Sequence, residues 1–145
     1  RNFNESLAHW DMSHVTNMSS MLEGCGIFDQ NLAIWDVSQV TDTSMMFCDC
    51  YNFNQSLARW NVSKATDTSG MFFNCHRFNN SLSRWDVSQV IDTSRMFFGC
   101  HRFNKSLADW GFKSPLSVPR HPFHKQYQCS DPKISKVQSR RKKSN

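Results

Sequence analysis

The sequence predicts an α/β solenoid of about 4.5 coils, and three observations carry that prediction. Phe3, Phe28, Phe53, Phe78 and Phe103 return every 25 residues, and Trp10, Trp35, Trp60, Trp85 and Trp110 keep the same period. A fixed period of this length marks a stack in which each unit buries its apolar face against its neighbours. Within each unit a stretch of two-residue alternation reads as a half-buried strand. A short run opened by Asp or Asn then reads as a helical return.

The elements follow in order in the unit that opens at Phe78. Leu82-x-x-Trp85-x-Val87 has the Leu-x-x-Leu-x-Leu spacing of a leucine-rich-repeat strand, with Trp in the middle leucine place. Leu7/Trp10/Met12, Leu32/Trp35/Val37 and Leu57/Trp60/Val62 repeat it. Trp85 and Val87 alternate with Asp86 and Ser88, as a strand with one buried face requires. Residues 93–98 then predict a short helix capped by Asp92, with Asn17, Asp42 and Asp67 in the equivalent cap position. Gly24 and Gly99 suit a left-handed ending, and Asp49 and Asn74 tolerate the same conformation. Coils of this kind stack strands ~4.8 Å apart, which gives a parallel sheet about 20 Å long.

Phe78-Asn79-x-Ser81-Leu82-x-x-Trp85-Asp86-Val87-Ser88-x-Val90-x-Asp92-x-Ser94-x-Met96-Phe97-x-x-Cys100 closely resembles the repeat of BspA-type leucine-rich surface proteins. The same repeat is catalogued as a domain of unknown function in bacterial surface lipoproteins, and it also occurs in uncharacterised proteins of microbial eukaryotes. The resemblance covers residues 3 to about 110. It implies a right-handed leucine-rich solenoid, commonly displayed at a cell surface and associated with adhesion or binding to host proteins. The chain departs from that pattern in showing no export signal or anchor and in carrying a basic tail.

Charge divides the chain in two. Residues 1–110 hold 8 Lys/Arg against 11 Asp/Glu, whereas residues 111–145 hold 9 against 1. The first segment is read as the repeat domain, with units starting at Phe3, Phe28, Phe53, Phe78 and Phe103. The second holds all 4 prolines and reads as a disordered tail ending in Arg140, Arg141, Lys142 and Lys143, a cluster suited to polyanions or nuclear import. A basic argument for nucleic-acid binding therefore concerns the tail alone. No run approaches the ~20 apolar residues of a membrane span. The chain opens inside a repeat without a polar cap, so it is expected to be a fragment of a longer array.

Each recurring residue is a column, and a type that returns coil after coil points to structure before chemistry. Cys25, Cys50, Cys75 and Cys100 form one column, readable as a disulfide or metal ladder or as small buried thiols at a corner. Cys48 stands outside it, and a zinc set of Cys48, Cys50 and His76 lacks any Cys-x-x-Cys or His-x₃-His spacing. Asp11, Asp36, Asn61 and Asp86 form an outward column, which suits a cation or, more simply, local bonds from the Ser two residues on. No phosphate loop, nucleophile elbow or metalloprotease helix occurs, and no acid, base and nucleophile are differentiated, so no enzyme and no cofactor or metal is expected.

Positions that vary between coils are where partner specificity would sit. His9, Ile34, Arg59, Arg84 and Asp109 share one such position. Glu23, Cys48, Phe73 and Phe98 share another, with Arg77, Arg95 and Arg102 nearby. Phe73 and Phe98 are either exposed interface anchors or fold under against Phe72 and Phe97. The binding residues expected are thus Ile34, Arg59, Arg84, Phe73, Phe98, Arg77 and Arg102. The predicted function is a non-catalytic protein-binding module of a surface or adhesion protein. The alternatives are a polyanion binder acting through the tail and a structural spacer in a longer surface protein.

Overall fold

Apolar residues in each unit stand three apart, and β-turns close those spacings. In the fourth unit Trp85 N donates to Leu82 O at 3.1 Å, Val90 N to Val87 O at 3.0 Å and Met96 N to Thr93 O at 3.2 Å. Cys100 N donates to Phe97 O at 3.1 Å and Phe103 N to Cys100 O at 3.0 Å. The first and fourth residue of each turn is buried, and the two between them face outward or lie part-buried. The chain is thereby wound into a coil made of successive turns. The structure, a computed structural model, describes residues 2–110.

Neighbouring coils are joined by backbone bonds from alternate residues. Thr43, Met45, Phe47 and Asp49 donate to the carbonyls of Asp67, Ser69, Met71 and Phe73 at 2.8–3.0 Å. Thr68, Gly70, Phe72 and Asn74 do the same to Asp92, Ser94, Met96 and Phe98. The residues between them close turns within their own coil, as Met46 N to Thr43 O and Cys48 N to Met45 O show.

The predicted architecture is therefore corrected. Among the described residues there is no helix, no extended strand and no sheet, only isolated parallel bridges Asn17↔Asp42, Asp42↔Asp67 and Asp67↔Asp92. The α/β leucine-rich solenoid is not the fold. The expected helix at residues 93–98 fails because Arg95 has φ 57°, as Ser20 and Met45 have φ 56° and Gly70 has φ 59°. A left-handed residue cannot continue a right-handed helix, and the N–H groups of Ser20, Met45 and Gly70 turn to the next coil instead. The expected strand fails because Leu82-x-x-Trp85 is a closed turn. Asp42, Asp67 and Asp92 cap no helix; their carboxylates accept from the amides of Ser44, Ser69 and Ser94 at 2.8–2.9 Å. Gly24, Asp49, Asn74 and Gly99 do take left-handed values, from 57° to 76°.

The interior is a set of stacked columns. Phe28, Phe53, Phe78 and Phe103 stack at 5.9–6.1 Å, and Phe47, Phe72 and Phe97 stack beside them at 5.6–5.7 Å. The two columns interlock, with Phe47–Phe53 at 4.2 Å and Phe72–Phe78 at 4.3 Å. The buried indoles and column thiols bond to the coil before. The indole Nε1 of Trp35, Trp60, Trp85 and Trp110 donates to the carbonyls of Leu7, Leu32, Leu57 and Leu82, each at 2.9 Å. Cys50, Cys75 and Cys100 donate through Sγ to Leu22, Phe47 and Phe72 carbonyls at 2.8–3.0 Å. Each coil thus locks onto its neighbour through apolar area and by polar bonds that only the right register satisfies.

Candidate functional site

The turns that bury Leu and Trp place the two residues between them at the surface. Ile34 is 73% exposed at such a turn, and Arg59 and Arg84 are exposed in the same place one and two coils on. Beside Arg84 lies an open depression of about 300 Å³ lined by Ser83, Arg84, Trp85, Asp86, Val87, Asp109 and Trp110. Arg84 and Asp109 bring opposite charges to it. Carboxylates in this region are committed locally: Asp11 Oδ1 accepts from the Ser13 amide at 3.0 Å and hydroxyl at 2.6 Å, and Asp36 accepts from the Ser38 amide at 3.0 Å. Those bonds hold both carboxyls below the ordinary aspartate range.

A second surface lies where the chain turns out of one coil toward the next. Phe73 and Phe98 are part-buried and stack on each other at 4.9 Å, between the exposed and buried alternatives weighed from sequence. Arg77 and Arg102 are exposed four residues further on. The sequence reading missed the column between them. Tyr51 stacks on His76 at 4.9 Å, and His76 on His101 at 5.0 Å. Their common phase of 25 residues was the available signal, hidden because Gly26 occupies that place one coil earlier. That glycine leaves room for the ring, since a Cβ there would meet Tyr51 Cδ2 at 3.1 Å.

The cysteine column is interior. Cys25, Cys48, Cys50, Cys75 and Cys100 are buried, and no disulfide joins them to one another. Burial pushes the Cys50 thiol up to about 12 and the Cys75 thiol well above its ordinary value. Burial, with Asp49 and Glu23 adding repulsion, pushes Cys48 to about 12. Such thiols are neutral and poor nucleophiles. Among the described residues no group of three His, Cys, Asp or Glu side chains could hold a metal ion. Trp35, Trp60, Trp85 and Trp110 are buried, whereas Trp10 is 47% exposed. Arg140, Arg141, Lys142 and Lys143 lie outside the described residues.

Charge is graded along the stack. Residues 2–52 carry 7 Asp/Glu and no Lys/Arg, while residues 53–110 carry 7 Lys/Arg and 4 Asp/Glu. The varied Arg side chains all belong to the later coils. Among the described residues no helix is long and apolar enough to cross a membrane.

Residues 1–110 match the family model described as Mycoplasma protein of unknown function, DUF285. The chain belongs to this family. The match spans the repeat units and ends at Trp110, where the 25-residue pattern ends. No curated protein and no solved structure matches the chain.

Proposed function

We propose that this chain is a non-catalytic protein-binding repeat module of a surface or adhesion-type protein. The observation that carries this reading is the split between two kinds of column. Interior positions repeat one residue type in nearly every coil, as with the Phe, Trp and Cys columns. The exposed position shared by His9, Ile34, Arg59, Arg84 and Asp109 holds four residue types in five coils, so packing does not dictate it. Recurring Asp and Ser residues bond to each other within their own turns, which leaves them a structural task. Display at a cell surface rests on the likeness of the repeat to BspA-type surface proteins.

A second reading has its own observation: the 9 Lys/Arg against 1 Asp/Glu in residues 111–145 suit a polyanion held by the tail. One experiment separates the two. The full chain, an Arg59→Ser/Arg84→Ser variant and a variant with Arg140, Arg141, Lys142 and Lys143 changed to Ser are immobilised and offered extracellular proteins and heparin at low and high salt. Retention of a protein at high salt, lost in the Arg59/Arg84 variant, supports the module. Retention only at low salt, lost in the tail variant, supports the polyanion reading and overturns the module. A chain that retains nothing in any form is better described as a spacer.

A further inference from the structure

We infer that the corner of the third and fourth coils docks a short acidic segment of a partner protein, its carboxylates over Arg77 and Arg102 and its apolar side chains against Phe73 and Phe98. The inference rests on the protein-binding reading and names the chemistry of the partner.

Three adjacent columns build this corner. Phe73 and Phe98 stack at 4.9 Å with an interplanar angle of 18°. Three residues on, His76 and His101 stack at 5.0 Å and continue to Tyr51 at 4.9 Å. Arg77 and Arg102 follow directly and are exposed, and Arg95 is exposed on the turn before Phe98. The backbone holds the columns apart: Asn74 and Gly99 are left-handed between them, and Arg77 N donates to Tyr51 O at 3.2 Å. Rings already held by their neighbours in a column lose little rotamer freedom when a partner arrives, and aromatic with Arg is the usual composition of an interface anchor.

The charge of the corner changes along the stack. The phase of Phe73 and Phe98 is occupied by Glu23 in the first coil, and the phase of Arg77 and Arg102 by Ile27 and Asn52 in the first two. In the third and fourth coils these columns contain no carboxylate. Asp67 and Asp92 of the same coils are turned to the amides of Ser69 and Ser94. The corner is thus basic and aromatic over two coils only. A long polyanion running along the stack would leave it and meet Glu23 and Asp29 in a half that holds 7 Asp/Glu and no Lys/Arg. A polyanion lying along that half would meet like charge inside the ~8–10 Å Debye length and be repelled. A short extended peptide avoids that repulsion. Its alternate side chains stand ~7 Å apart, within reach of two Arg side chains from neighbouring coils.

The test uses the full chain and fluorescence anisotropy. The probe is a short fluorescein-labelled peptide alternating Glu and Leu, beside a counterpart with Gln for Glu. The proteins are the native sequence, Arg77→Glu/Arg102→Glu and the tail variant with Ser at 140–143. The proposal expects the Glu peptide to bind, the Gln peptide to bind far more weakly, and Arg77→Glu/Arg102→Glu to lose about tenfold or more in affinity. The tail variant should bind as the native chain does. Unchanged affinity in Arg77→Glu/Arg102→Glu, equal binding of the Gln peptide, or a loss confined to the tail variant each overturn the assignment. Should the corner fail while Arg59→Ser/Arg84→Ser still loses a captured protein at high salt, the module stands and only its docking surface is wrong.

Discussion

Replacing Trp85 by Phe removes one hydrogen bond and one fused ring from a position fixed by both neighbouring coils. Trp85 is 3% exposed, its Nε1 donates to Leu57 O at 2.9 Å, and its ring stands 6.4 Å from Trp110 and 6.3 Å from Phe72. Leu57 O also accepts from Trp60 N at 3.0 Å, so the substitution leaves no orphaned carbonyl. The bond therefore contributes at the low end, about 0.5–1 kcal/mol. The lost ring atoms and the space they leave cost about 1–2 kcal/mol more. Together Trp85→Phe should destabilise the chain by about 2 kcal/mol, which at an ordinary urea dependence lowers the unfolding midpoint by about 1 M. Trp10→Phe is the internal control, because Trp10 is 47% exposed and should move the midpoint far less. Urea unfolding followed by the remaining Trp fluorescence measures both. Equal shifts for the two substitutions, or no shift for Trp85→Phe, would refute the idea that each indole locks its coil to the one before.

Four further outcomes are expected. Cys48, Cys50 and Cys75 should resist iodoacetamide in the native chain at pH 8 and react once urea unfolds it, read by mass spectrometry of the labelled peptides. Because burial raises the folded thiol values while unfolded thiols ionise near ~9, stability is full below that pH. It should fall as pH rises from ~9 to about 12 by up to about 1.4 kcal/mol per pH unit for Cys50, with Cys48 and Cys75 acting in the same direction, seen as a falling urea midpoint. Ser20→Gly, at φ 56°, should stabilise by about 0.5–1 kcal/mol by relieving a left-handed non-glycine residue. Gly99→Ala, at φ 76° with its Cβ directed into the Asn74 side chain, should destabilise by about 1–2 kcal/mol, and thermal melts would rank the pair.

The interior was legible in the sequence because it is written in period. The period alone places Phe28, Phe53, Phe78 and Phe103 in one column, and the buried Trp and Cys residues likewise. The Asp–Ser local bonds were legible too, since Asp36 and Ser38 stand at the spacing an Asx turn needs. The path of the backbone between those columns was not. A spacing of three between Leu82 and Trp85 fits the strand of a leucine-rich repeat and equally a closed β-turn, and only the bond from Trp85 N decides it. The helix was lost for a related reason. Ser20, Met45 and Arg95 take left-handed backbone with no side chain that announces it, and Gly70 is the lone glycine of that column.

The candidate surface divides in the same way. Phe73 and Phe98 drew notice because their column varies, yet whether they faced out or in depended on turn geometry the sequence does not state. His76 and His101 read in the sequence only as followers of the column cysteines, and Tyr51 at the same phase differs in type, although register stacks all three. Side-chain chemistry at a varied position is readable from sequence. Its neighbours across coils are readable only once the register is known.

The central claim is that alternate amides in each unit bond to the next coil and not along a helix. Trans-hydrogen-bond scalar couplings in an isotopically labelled chain test it residue by residue. The structure predicts couplings from Phe47 N to the Met71 carbonyl carbon and from Phe72 N to the Met96 carbonyl carbon, matching bonds of 2.9 Å. It also predicts a positive-φ signature at Met45 and Arg95. Couplings from Phe47 N to Thr43 and from Phe72 N to Thr68, with negative φ throughout, would restore the helical return and contradict the stack of turns.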